Sequence, residues 1–330
     1  MNTGTTKSSV HHTAIAVKTE TVSMTPANRP IPVFDHSDKA NSTRMPTWIR
    51  QAITKKTHYA ETASSVHNNQ LTTVGEEARC PNQNECWNRG TATFMLLGDT
   101  CTRACGFCAV KTGRPGMLDR HEPARIAKAV AQMGLDYVVL TSVNRDELAD
   151  GGAQIFADTL VALREQNAAV GVEFLTPDFR ACQDNAIRVV SSALSDSPYT
   201  GKSSTRLIWG HNVETVPALY KEVRKGSNYE RSLQLLQDVS SLEYVETKSS
   251  LMLGLGESED DVFQVMQDLR AINVDRLSLG QYLRPTRYHL PVKEYVPLDR
   301  FASFEKIAKS MGFSWVKSGP MVRSSYHAEE

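Results

Sequence analysis

Short apolar runs alternate along this chain with segments whose apolar residues recur at helical spacing. The runs are Thr93-Phe94-Met95-Leu96-Leu97, Tyr137-Val138-Val139-Leu140, Val172-Glu173-Phe174-Leu175, Arg206-Leu207-Ile208-Trp209, Ser250-Leu251-Met252-Leu253, Arg276-Leu277-Ser278-Leu279 and Phe313-Ser314-Trp315-Val316. Most are short and nearly continuous in apolar character, as strands buried on both faces of a parallel sheet are. Between them, Ile126, Val130 and Met133 form one helical stripe, and Ile155, Leu160 and Leu163 a second. Val262, Val265, Met266 and Leu269 form a third, opened by the acidic run from Glu257 to Asp261, which suits a helix N-terminus. Strand and helix in alternation predict βαβ units on a parallel sheet, here a closed or nearly closed α/β barrel, with a doubly wound open sheet as the alternative. In a barrel, the loops that follow the strands carry the chemistry.

The tail changes this picture little. Residues 1–44 are rich in Thr, Ser, Asn and Pro and show no sustained period, the mark of a disordered or loosely draped segment. They have no apolar core of a secretory signal. They have no Arg before Arg29 and carry Glu20, Asp35 and Asp38, unlike a mitochondrial transit peptide. The expectation is a cytoplasmic, bacterial location. No run approaches the roughly 18 apolar residues of a membrane span. Lys+Arg and Asp+Glu are both 37, so the chain as a whole has no pull toward nucleic acid or an anionic membrane. Its 330 residues are enough for one large domain or two small ones. The polar segment Ser195 to Thr205 reads as a surface insertion. Its Gly201-Lys202-Ser203 lacks the upstream glycine and preceding strand of a phosphate loop.

Cysteine placement sharpens the reading. Five of the six cysteines lie between Cys80 and Cys108; the sixth is Cys182. That is too sparse for a disulfide scaffold, and the clustering favours a metal or iron–sulfur site. Cys101, Cys105 and Cys108 have C-x3-C-x2-C spacing, in a loop just after the strand that ends at Leu97-Gly98. Three thiolates on one tight loop can hold three irons of a four-iron cubane and leave the fourth open. In a radical enzyme the open iron binds S-adenosylmethionine (SAM) through its amino and carboxylate groups. An electron from the cluster then cleaves the sulfonium bond and yields a 5′-deoxyadenosyl radical. Zinc is the competing reading, but structural zinc takes four ligands, and no fourth is evident nearby. This spacing, after the first strand of an α/β barrel, resembles the radical SAM superfamily and implies its partial TIM-like β/α barrel, here with N- and C-terminal extensions.

Further motifs narrow the resemblance. Upstream stands Val74-Gly75-Glu76-Glu77-Ala78-Arg79-Cys80-Pro81-Asn82, leading to Cys86-Trp87-Asn88 and Gly90-Thr91-Ala92-Thr93-Phe94. Within the barrel stand Thr141-Ser142-Val143-Asn144-Arg145-Asp146-Glu147-Leu148 with Asp150-Gly151-Gly152, Thr176-Pro177-Asp178-Phe179-Arg180, His211-Asn212, Leu253-Gly254-Leu255-Gly256-Glu257 and Gly280-Gln281-Tyr282-Leu283-Arg284-Pro285. Gly319-Pro320 and Arg323-Ser324-Ser325-Tyr326-His327-Ala328 close the chain. Together these closely resemble the lipoyl synthase family, from about Met45 to the C-terminus. The resemblance implies four segments: the tail (1–44), an extension carrying auxiliary-cluster cysteines (45–98), the radical SAM barrel (99–318) and a segment closing the auxiliary site (319–330). It implies insertion of two sulfur atoms, at C6 and C8 of an octanoyl chain amide-linked to a lysine of a lipoyl carrier domain, at the expense of two SAM molecules. The implied cofactors are SAM and two [4Fe-4S] clusters, the auxiliary one consumed as the sulfur source. The implied partners are octanoylated E2 subunits of 2-oxoacid dehydrogenases and the glycine cleavage H protein, a flavodoxin- or ferredoxin-type electron donor, and an iron–sulfur carrier protein, with no nucleic acid and no membrane.

The family holds the auxiliary cluster with a C-x4-C-x5-C triplet and a serine of the Arg-Ser-Ser-Tyr motif. Cys80 and Cys86 match the second and third cysteines, but the first position is occupied by Gly75, which has no side chain to ligate iron. The serine is Ser324 or Ser325. Substitutes are poor: Cys182 follows a different strand and reads as a buried apolar residue, and His67 and Glu76 are weaker partners for such a cluster. A cluster with an incomplete ligand set is expected to be labile. Either sulfur insertion is impaired while SAM cleavage survives, or water or sulfide completes the open iron. A second departure is Trp209-Gly210-His211-Asn212, where the family usually has Asn before His; Gly210 is expected to loosen that loop.

The resemblance also implies a SAM-facing wall of Ser142, Asn144, Arg145, Asp146, Gly151, Gly152, Glu173, His211 and Asn212. A capped helix start, with Asp150 as N-cap, accounts equally for the Gly151-Gly152 segment. Glu173 inside an apolar strand needs a partner, and ribose hydroxyls are the assigned one. Arg284, Arg287, Tyr288 and His289 form a basic loop that reads equally as a contact for an acidic carrier protein or as a solvated surface.

Overall fold

A computed structural model describes Met1 and residues 45–52, 59–80, 82–88 and 93–328. The expected polar tail lies outside the described residues but for its first. Seven strands form one all-parallel sheet: β1 (Thr93–Leu96), β4 (Tyr137–Ser142), β5 (Gly171–Leu175), β6 (Leu207–Gly210), β7 (Val245–Leu253), β8 (Arg276–Gln281) and β9 (Trp315–Gly319). They are neighbours in that same order, and β1 and β9 do not pair with each other, so the sheet does not close; Thr73 bridges to Phe94 along the outer edge of β1. Two further short strands, β2 (Thr100–Cys101) and β3 (Lys111–Thr112), pair with each other and clasp the base of the cysteine loop.

The crossovers include α5 (Glu122–Met133), α6 (Ala153–Gln166), α7 (Gln183–Asp196), α9 (Tyr229–Ser240), α10 (Glu259–Ala271) and α11 (Leu298–Ser310). Helices α1 (Thr47–Ala52), α2 (Tyr59–Asn68), α3 (Val74–Glu77) and α4 (Gln83–Asn88) precede the sheet, and α8 (Tyr220–Val223) follows β6. Residues Asn41–Glu330 cluster as one unit. Each helical stripe predicted by period is a helix. Ser258 and Asp261 form a reciprocal capping box on α10, so the acidic run lies in its first turn. Asp150 is not the N-cap of α6; Gly152 is, while the Asp150 carboxylate accepts from the Gly152 and Gln154 N–H groups.

Alternation along the strands explains where the polar residues go. Phe94, Leu96, Leu140, Phe174 and Trp209 pack with helix residues such as Ile126, Phe156 and Leu160 in the main core. The intervening positions Met95, Thr141, Leu175, Ser250, Met252 and Gly280 line one cavity instead. A single cavity lined from β1, β4, β5, β7 and β8, with His211 and Asn212 from the loop after β6, requires the sheet to curve around it, which gives a partial barrel rather than a flat doubly wound sheet. β7 begins at Val245, five residues before the apolar run that starts at Ser250, because Glu246 and Lys248 interrupt the apolar pattern. β9 begins two residues late, since Phe313 is buried against the helices instead. Gly210 loosens nothing: it is laddered inside β6 between Leu175 and Lys248.

Candidate active site

The loop after β1 turns back on itself through a Cys108 N–H to Cys105 carbonyl bond of 3.2 Å. It places Cys101, Cys105 and Cys108 on the wall of a cavity of about 310 Å³. Cys101 Sγ accepts hydrogen bonds from the backbone N–H of Arg103 (3.4 Å) and of Asn144 (3.3 Å), with Asn144 Nδ2 at 3.7 Å. N–H···S contacts of this kind are a lever on iron–sulfur potentials. Burial pushes the Cys105 thiol up to about 11 and the Cys108 thiol to about 12, so they ionise only against a strong local cation. Among the described residues no three His, Cys, Asp or Glu side chains converge as they would on one metal ion. Cys101, Cys105 and Cys108 nonetheless line one cavity, and the donor chemistry of three thiols on one loop fits an iron–sulfur cluster.

Between the ligand positions lies Arg103, 7% exposed. Its Nε and Nη2 donate to the Asp146 carboxylate at 2.8 and 2.6 Å, and Nη2 is 2.6 Å from Asp178. Burial opposes the Arg103 charge, but the two carboxylates more than offset it and hold the guanidinium protonated. Burial likewise pushes Asp178 up, yet the Arg103 bond and charge bring it down to about 2. Arg231 closes the network on Asp178 at 2.7 Å. The cysteine loop is thereby pinned to the ends of β4 and β5.

The expected SAM wall divides in two. Ser142, Asn144, His211 and Asn212 line the cavity. The Ser142 hydroxyl is buried without a hydrogen-bond partner, as is Nε of Arg224, another lining residue. Both are donors suited to a polar ligand. The other five are not cavity-lining. Arg145 reaches the carbonyls of Leu97 and Gly116, Asp146 serves Arg103, and Gly151 and Gly152 pack closely on Phe179 and Leu97. Glu173 is committed deeper in the barrel: Lys248 Nζ donates to both carboxylate oxygens at 2.9 Å and Tyr137 donates at 3.2 Å, with both ionic side chains 1% exposed. Its partner is therefore a lysine and not a ribose hydroxyl. His211 is buried between the Thr176 carbonyl (2.9 Å) and Ser232 hydroxyl (3.0 Å), and burial pulls its pKa down to about 4.

The second donor set comes from the two ends of the chain. Arg79 takes a positive φ of 53° after α3, and Cys80 follows it onto the cavity wall. Asn82 Nδ2 donates to the Met321 carbonyl at 2.6 Å, and Tyr326 donates to Glu85 at 2.9 Å, so the C-terminal segment is latched to α4. That latch brings Arg323, Ser324 and Ser325 onto the same cavity as Cys80. Gly280 permits the crossing, since a Cβ there would lie 2.1 Å from the Val322 carbonyl oxygen. Cys86 sits half-buried on α4, apart from the lining. Gly75 does not line the cavity either, and the space where its Cβ would stand is met at 3.0 Å by Gln83 Cγ. His67 and Glu76 pair with each other at 2.9 Å, and Cys182 packs beside Gly151, so neither position supplies a substitute on the cavity. The residues present fit this auxiliary group only in part.

Sequence reasoning missed Arg103, Asp178, Arg224, Arg323 and Glu214, a lining residue whose carboxylate accepts from Asn212 Nδ2 at 3.0 Å, as members of the site. Three of them stand inside motifs already singled out. Arg224 and Glu214 carried no local signal.

These features define a radical SAM enzyme, and residues 95–269 match the Radical SAM superfamily. Streptococcus suis SuiB bound to its precursor peptide SuiA shares the fold at a TM-score of 0.50 and 13% identity, over 72% of this chain and 53% of that one. A lipoyl synthase of Methylobacillus flagellatus is 50% identical over 287 residues, covering 87% of this chain and 85% of that protein. One from Rubrobacter xylanophilus is 48% identical over 306 residues, covering 92% of each. The chain belongs to the lipoyl synthase family.

Proposed function

We propose that this chain converts a protein-bound octanoyl group to a lipoyl group by inserting sulfur at C6 and C8. The observation that carries the proposal is the meeting of two cysteine segments and the Arg-Ser-Ser-Tyr segment on one cavity at the strand ends. Cys101, Cys105 and Cys108 would hold a four-iron cluster, which supplies the electron for reductive cleavage of SAM. The hydroxyl of Ser142, the amides of Asn144 and Asn212, and the Arg224 guanidinium orient the polar groups of SAM. Arg103, clamped by Asp146 and Asp178, fixes the cysteine loop against the barrel. His211, neutral at pH 7, holds the β5 and β6 loop ends through Thr176 and Ser232. Phe107, Met252, Leu283 and Val322 supply apolar wall for an alkyl chain and exclude water from it. Cys80, Cys86 and one of Ser324 or Ser325 are the donors toward the auxiliary cluster, one fewer than the family uses.

Octanoylated carrier domains are the substrates on this reading, the E2 subunits and the H protein among them. A flavodoxin- or ferredoxin-type protein supplies electrons, and an iron–sulfur carrier rebuilds the consumed cluster. A cytoplasmic setting belongs to the same reading; among the described residues no helix is long and apolar enough to cross a membrane. The test is anaerobic reconstitution with iron and sulfide, followed by turnover on an octanoylated carrier peptide. About eight irons per chain with lipoyl product is the expected result. About four irons, with deoxyadenosine formed and no thiolated product, favours the second reading, which Gly75 motivates: SAM cleavage without competent sulfur insertion.

A further inference from the structure

Although the chain is neutral overall, the surface behind the cysteine loop is not. Gly106, at the tip of that loop, is absent from the cavity wall formed by Cys105, Phe107 and Cys108. Its backbone faces the other way. Gly106 N–H donates to the Val223 carbonyl at 2.9 Å, and its carbonyl accepts from Leu290 N–H at 3.1 Å. A Cβ at Gly106 would stand 2.9 Å from the Leu290 side chain, so both flanking segments sit directly on the loop. His289 Nε2 adds a contact of 3.1 Å to the Cys108 carbonyl. The segments that grip the loop carry exposed Lys221 and Lys225 on one side and exposed Arg284 and Arg287 on the other. Glu222 is the one exposed acid interposed among them, and residues 282–293 contain no Asp or Glu. Tyr288 projects from the middle, 81% exposed, with Arg287 stacked on its ring at 4.9 Å.

We infer that this face is where an acidic one-electron donor protein docks, on the outer side of the cysteine loop. An exposed aromatic with a cation stacked on it, between two segments that carry further exposed cations, is the composition of a small docking patch, and local charge raises encounter rates with an oppositely charged partner. The position favours an electron donor over the lipoyl carrier. Lys221, Lys225, Arg287 and Tyr288 lie outside the cavity lining, on the segments that hydrogen-bond the backbone of the cysteine loop, whereas an acyl chain must enter the cavity itself, whose wall Leu283 and Pro285 help to form. Electron delivery needs only proximity across a few atoms of protein. One electron crosses: the donor is oxidised by one, the three-cysteine centre is reduced by one, and no bond or proton moves on the enzyme. The inference rests on the assignment of a redox cluster to Cys101, Cys105 and Cys108.

The experiment compares the reconstituted holoenzyme with a Lys221→Glu/Arg287→Glu variant, using reduced flavodoxin and, separately, dithionite as reductants. Neither substituted side chain touches the cavity. The expected result is a fall of about tenfold or more in flavodoxin-driven SAM cleavage at low salt, with dithionite-driven cleavage and thiolation of the carrier unchanged. The wild-type flavodoxin rate should also fall as salt is raised, and the variant's should not. An unchanged flavodoxin rate in the variant overturns docking alone. Loss of carrier thiolation under dithionite assigns the face to the carrier and also overturns it. Absence of dithionite-driven SAM cleavage in the wild type removes the cluster assignment, and the docking site with it.

Discussion

At position 75 the smallest residue stands where the family resemblance implies a ligand, and Gln83 packs against it. Gln83 Cγ lies 3.0 Å from where a Cβ would be, tighter than ordinary contact. A cysteine put back at this position must displace Gln83 before its sulfur can turn toward Cys80. Gly75→Cys alone should therefore raise iron content after anaerobic reconstitution less than Gly75→Cys/Gln83→Ala does. Iron and sulfide per chain, with the iron-site distribution from Mössbauer spectra, read the difference. An unchanged count in the double variant sinks position 75 as a lost ligand. Arg103 illustrates the opposite case, a residue between two ligand positions whose importance no spacing rule conveys. Its neighbours in space, Asp146 and Asp178, come from the loops after β4 and β5.

At the scale of elements, the strands were recognised from their apolar runs, and their polar interruptions proved to be the informative part. Glu173 on β5 and Lys248 on β7 point into the barrel and pair below the cavity, with β6 between them. Lys248 also lies 4.8 Å from the Trp315 ring of β9. This pair ties three non-adjacent strands of an open sheet across its interior. Removing one partner leaves an uncompensated buried charge, so Lys248→Met or Glu173→Gln alone should cost about 3–5 kcal/mol in urea unfolding. The Lys248→Met/Glu173→Gln double variant should cost much less than the sum, because no charge is then stranded. Additive losses would show that the two side chains stabilise the barrel separately.

For the whole molecule, acid stability follows from groups buried in the site. His211 is held neutral: burial lowers its pKa from 6.5 to about 4. The unfolded chain therefore binds a proton there that the folded chain refuses. The contribution is full above pH 6.5 and is lost as pH falls through about 4, on the order of 3 kcal/mol in total and about 2 kcal/mol between pH 7 and 5. Asp178, held at about 2 by Arg103 against its burial, loses its contribution in a lower window, from its ordinary 3.8 downward. Unfolding free energies at pH 7 and pH 5 should converge in His211→Gln and diverge in the wild type. Equal pH dependence in the two proteins would place the acid sensitivity elsewhere.

The order of strands and helices, the cysteine loop and the family were legible in the chain because they rest on local facts. A residue's hydrophobic period and a ligand's spacing are properties of neighbours in sequence. The wall of the site was legible only in part: Ser142, Asn144, His211 and Asn212 reach the cavity, while Arg145, Asp146, Gly151, Gly152 and Glu173 brace the structure around it. Motif membership does not say which way a side chain points, and a strand reverses direction at each residue. Only the folded chain decided that Glu173 answers Lys248, that Gln83 meets the space above Gly75, and that the C-terminal serines share a cavity with Cys80. Those outcomes depend on contacts between segments far apart in sequence, made when a curved sheet brings its strand ends and both chain extensions to one cavity.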